Sequence, residues 1–73
     1  MYIIIEIQKS NSGTATIVPP VTHTDRNTAE AAYHTALAAA ATSSVAVHSV
    51  VMLSDVGEKI MGQTYYHGQS PVD

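Results

Sequence analysis

Two β-patterned segments of this sequence carry apolar side chains on both faces, and that feature limits the folds open to the chain. In Tyr2 to Gln8, Ile3, Ile5 and Ile7 share one side and Tyr2, Ile4 and Glu6 the other. In Val45 to Ser54, Val45, Val47, Val51 and Leu53 share one side and Ala46, Val50 and Met52 the other. Strands with this pattern are buried on two sides. A sheet built from them needs a cover above and below.

The rest of the chain supplies one cover. Lys9-Ser10-Asn11-Ser12-Gly13 is a turn cluster, and Thr14 to Val18 returns as a second strand. Pro19-Pro20 is expected to stop that strand, because neither proline can donate to a ladder, which also marks it as an edge. Two capping patterns follow, Asp25 with Thr28 and Asn27 with Glu30, and they open a helix from about Arg26 to Thr42. Its inward stripe is Ala29, Ala32, Tyr33, Ala36, Leu37 and Ala40 at helical spacing. Asp55-Val56-Gly57 is a hairpin loop, Glu58 to His67 the fourth strand, and residues 68–73 a polar tail.

The expected fold is a single α+β domain over residues 1–73 in the order ββαββ: a four-stranded, mainly antiparallel sheet with one helix on one face. One helix covers one face. The simplest cover for the second is another copy of the chain, so oligomerisation is expected.

Composition points the same way. A chain of 73 residues buries only about 60% of its unfolded surface and tends to need an added staple. Cysteine is absent, which removes disulfides and thiolate metal sites. The apolar fraction of 45% is mostly Ala, Val and Ile, with no Phe or Trp, so each buried side chain contributes little area. Contact with a partner chain is the remaining staple.

The same residues exclude several functions. Three cations (Lys9, Arg26, Lys59) against six acidic residues, net −3, cannot neutralise a run of phosphates, so polymeric nucleic acid is not an expected partner. Met1 to Ile5 breaks at Glu6, without a basic segment before it or a small-residue cleavage site after it. No run approaches the roughly 18 apolar residues of a membrane span. A cytoplasmic protein with no membrane partner is expected. His23, His34, His48 and His67 stand in no ligand spacing, so no metal site is expected and the histidines read as structural or surface groups. Glu6 has no evident carboxylate partner, and neither a nucleophile motif nor a phosphate loop is present. These absences predict a protein that is not an enzyme and takes no cofactor.

Two clusters remain as candidate ligand sites. His23, Thr24, Arg26, Asn27 and Thr28 place a guanidinium, hydroxyls and free amides at a helix start, where anions bind. Capping by Thr24, Asp25 and Asn27, with a solvated Arg26, explains the same residues structurally. Tyr65 and Tyr66 point to opposite sides of a strand, so one can stack on a base while the other packs. Plain sheet packing is the structural alternative.

Tyr2 to Gln8, the block Asp25-Arg26-Asn27, Ala29-Glu30, Tyr33-His34, Leu37 to Ala41, Ser43-Ser44-Val45 and Val47 to Val51 resemble a group of short phage and prophage proteins from gut Firmicutes, a family without established function. Pro19-Pro20 is not typical of that group, and the segment before Tyr33 is less charged than in it. The resemblance implies a phage protein, and at the level of class it is similar to viral sponges. These are compact oligomers that sequester a nucleotide immune signal in pockets between subunits and so counter anti-phage defence. On that reading Arg26 and the helix start contact phosphate and Tyr65 or Tyr66 stacks on the base. The alternative is a virion or assembly accessory acting through protein–protein contacts. A third possibility is an inhibitor that binds a host defence protein.

Overall fold

The computed structural model describes residues 1–67; the expected polar tail, 68–73, lies outside them. The elements run β1 (Tyr2–Lys9), β2 (Ala15–His23), α1 (Arg26–Ala41), β3 (Val47–Ser54) and β4 (Lys59–Tyr66). The four strands form one sheet in the order β2-β1-β3-β4, and every neighbouring pair is antiparallel. The ββαββ α+β arrangement expected from the sequence is the observed one.

The two hairpins turn on the residues that favour turns. Gly13 and Gly57 adopt φ of 93° and 85°, the left-handed region that a side chain resists. The β1–β2 turn closes through Ser10 N–H to Thr14 O and Gly13 N–H to Ser10 O, each 3.0 Å.

One expectation needs correction. The second strand does not stop at Pro19-Pro20; β2 runs through both prolines to His23. The register explains how. Ile4 lies opposite Val21 and Glu6 opposite Val18, so the two prolines share the single position facing Ile5. That is a β-bulge, where one residue on the partner meets two and no ladder donor is required. Since β2 is an edge strand, its outer side needs no donors either.

Helix α1 starts at the Asp25 cap rather than the Asn27–Glu30 box. Asp25 sits in extended backbone, and its Oδ2 accepts from the Thr28 N–H at 2.8 Å and the Thr28 hydroxyl at 3.0 Å. Glu30 instead meets Arg26, Nε donating to Oε2 at 2.8 Å.

The core lies between α1 and one face of the sheet. Ala29, Tyr33 and Ala40 pack on Ile4, Val50 and Met52, with Ala32, Ala36, Leu37 and Met61 around them. Met52 and Val50 are the largest fully buried side chains. The inward helix stripe is the one that periodicity indicates. On the opposite face, Ile3, Ile5, Ile7, Val47, Val51 and Leu53 stand on the two central strands. Ile17 pairs with Ile7 and Tyr66 with Val47, which extends that face to both edges. No element among the described residues packs there.

Candidate functional site

Four places on this frame hold chemistry-bearing groups, and the strand register fixes how far apart they lie.

Inside the covered face, His48 is 4% exposed, the one buried polar residue among those described. Its Nε2 lies 2.9 Å from Glu6 Oε1 and its Nδ1 3.0 Å from Ser43 Oγ. Glu6 and His48 sit on the two central strands and both point toward the helix side. Ser43 follows the helix, where its own N–H bonds Ala40 O at 3.3 Å. The three groups tie the end of α1 to the middle of the sheet. A buried imidazole costs free energy unless both ring nitrogens find partners, and here both do. Glu6 therefore has a partner that the sequence did not disclose. The signal was present in the alternation: Glu6 and His48 occupy inward positions between apolar neighbours.

At the helix start, the Asp25 carboxylate takes the Thr28 amide, and that bond holds its pKa below the ordinary carboxylate value. Arg26 lies 5.8 Å above the Tyr2 ring and is held charged by the Glu30 hydrogen bond. Thr24, Asn27 and Thr28 are exposed, and His23 is partly buried with Nε2 lacking a hydrogen-bond partner. The cap takes the Thr28 amide and hydroxyl and the ion pair takes Arg26, while His23 Nε2 is left without a partner among the described residues.

The tyrosines lie elsewhere. Tyr65 pairs with His48 and Tyr66 with Val47, whereas Arg26 stands over Tyr2, at the other end of β1. The length of an eight-residue strand separates the clusters by about 20 Å. One chain does not bring Arg26 and the tyrosine pair into one pocket. Tyr65 packs on the core and stacks on His67, with ring centres 6.2 Å apart. Tyr66 is 56% exposed on the uncovered face. Burial raises the Tyr33 phenol pKa, with the Tyr65 ring hydroxyl adding to it.

A cleft of about 380 Å³ opens beyond the end of α1, lined by Gln8, Asn11, Thr14, Thr16, Ser44 and Val45 among others. Its side chains are hydroxyls, amides and methyls. No cation lines it. Among the described residues no group of three or more His, Asp or Glu side chains is placed to hold a metal ion. No helix among them is long and apolar enough to cross a membrane.

These features define a class: a small α+β domain with a helix on one sheet face, a buried Glu–His–Ser tie, and an apolar second face. Comparison with protein-family models, curated proteins and solved structures finds no match.

Proposed function

We propose that the chain is a non-catalytic binding module that works as a homo-oligomer, with the uncovered sheet face as its self-contact. The carrying observation is the apolar surface of Ile3, Ile5, Ile7, Val47, Val51 and Leu53 on strands that have a helix over the other side only. Four strands about 4.8 Å apart and eight residues long, at about 3.3 Å per residue, give a face of roughly 500 Å². Two copies packed face to face bury roughly 1,000 Å² in total, at the lower bound for a specific interface. Among the described residues the cations on this face are Lys9, near its end, and Lys59, whose side chain reaches along β4 to Gly62 beside Val51; no acid among them shares it. The apolar, self-matching strip along β1 and β3 suits a second copy.

This geometry favours action through protein contacts. In the phage setting implied by the resemblance, that is an accessory or inhibitor role. The second reading, sequestration of a small phosphorylated ligand, has narrower support. It rests on Arg26, a half-exposed guanidinium over the Tyr2 ring that symmetry would repeat. Its ion pair with Glu30 has to open first.

The test of the oligomer is mass in solution at tens of micromolar. Wild type should assemble, and Ile5→Lys, a charge at the centre of the face, should lower the mass while the fold persists. A wild-type monomer sinks the proposal. For the ligand reading, incubation with candidate signal nucleotides followed by filtration should deplete one of them, and Arg26→Ala should abolish the depletion. No depletion across a broad panel ends that reading.

A further inference from the structure

The two edges of the sheet are built differently. On β2 the Pro19-Pro20 bulge breaks the register and removes two donors, a common way to keep an edge from recruiting another strand. On β4 the stretch Met61-Gly62-Gln63-Thr64-Tyr65-Tyr66 has no proline, no charge and an unbroken register with β3 from Met52↔Met61 to Val47↔Tyr66. The His67 N–H bonds Ala46 O at 2.6 Å, so the odd-numbered amides of this stretch face β3. Backbone groups alternate along a strand. The amides and carbonyls of Gly62, Thr64 and Tyr66 therefore face outward, without a partner among the described residues.

We infer that β4 is a second self-association surface, pairing antiparallel with β4 of another copy about a two-fold axis near the middle of the strand. The strand's own ends select that occupant. Antiparallel pairing brings Lys59 of each strand beside the exposed Tyr66 of the other on the uncovered face, so ammonium meets phenol twice, while the His67 imidazole stays on the helix side, its Nε2 bonded to Ala40 O. The axis stands perpendicular to the sheet and leaves both helices on one side. The two uncovered apolar faces then join into one surface of roughly 1,000 Å². The inference rests on the oligomeric reading above and extends it: two edge-paired dimers packed face to face bury roughly 2,000 Å² in total, well inside the range of stable assemblies.

Amide exchange on the full chain tests the edge directly. At concentrations where the protein is assembled, the amides of Gly62, Thr64 and Tyr66 should exchange about 100-fold or more slowly than the outward amides of β2, the blunted edge. The protection should fade on dilution. Thr64→Pro, which removes one outward donor and leaves the β3 ladder alone, should lower the mass and release Gly62 and Tyr66. Thr64→Ala keeps the donor and should behave as wild type, which covers the case in which the proline variant fails to fold. Ile5→Lys separates the two interfaces: it should leave the edge protection in place while reducing the mass. If Gly62, Thr64 and Tyr66 exchange as freely as the outer β2 amides in the assembled protein, the edge inference is overturned, whatever becomes of the face contact. If they are protected and Ile5→Lys keeps the full wild-type mass, the face contact fails and the edge contact stands.

Discussion

Val50 and Val51 are neighbours in the sequence and opposites in environment. Val50 is fully buried against the helix, and Val51 stands partly exposed on the uncovered face. The same contrast separates Ile4 from Ile5 on the adjoining strand. The two faces use similar residues, so composition does not decide which one forms the core. The helix decides: its Ala29–Tyr33–Ala40 stripe is narrow enough to seal one side and reaches nothing on the other. The uncovered face keeps a core-like apolar strip of Ile3, Ile5, Ile7, Val47, Val51 and Leu53, interrupted by the Ser49–Thr64 hydroxyl pair and without an element over it.

The largest difference between the faces is expected at Met52, fully buried under the helix. Met52→Ala leaves a cavity in the covered face and should cost about 2–5 kcal/mol in denaturant unfolding. A loss at the upper end would leave little of a small domain folded. The adjacent valines give the cleanest contrast. Val50→Ala should cost about 2 kcal/mol, whereas Val51→Ala should change dilute-chain stability by less than about 0.5 kcal/mol while weakening assembly. Equal losses at both positions in dilute solution would mean that the faces do not differ in the way described. Next is the polar tie in the covered face. Glu6→Gln keeps an acceptor near His48 Nε2 but removes the charge, and about 1 kcal/mol should be lost, read by unfolding and by faster exchange of the Ser43 amide.

The smallest effect is expected at the helix cap, remote from both faces. The Thr28 bonds lower the Asp25 pKa in the folded chain. A depressed carboxylate stabilises the fold fully above its unfolded value, about pH 4, and the contribution fades as pH falls through the lower folded value. Wild type should therefore lose more helix stability than Asp25→Asn between pH 5 and pH 2, followed by circular dichroism. Parallel curves would remove the cap from the account.

Much of the fold was legible because it follows from local periodicity. Alternation marked β1 and β3, helical spacing marked the α1 stripe, and glycine after polar turn residues marked both hairpins. Three things were not legible. The passage of β2 through Pro19-Pro20 depends on a bulge against Ile5, and a proline's tolerance is set by what faces it. The choice between two caps depends on where Glu30 reaches, and it reaches Arg26. The candidate ligand residues could be named but not placed, since strand order sets the distance between Arg26 and Tyr65-Tyr66.

Four strands and a helix, with more apolar surface than one helix hides, can be read from the residues in order, because side-chain direction alternates along a strand regardless of what lies around it. Which face the helix takes, that Glu6 meets His48 across 42 positions of chain, and that β4 rather than β2 presents the open edge emerge once the strands have paired. Those outcomes depend on which strands become neighbours. Pairing is a long-range choice, settled by the packing of the whole sheet rather than by any one segment.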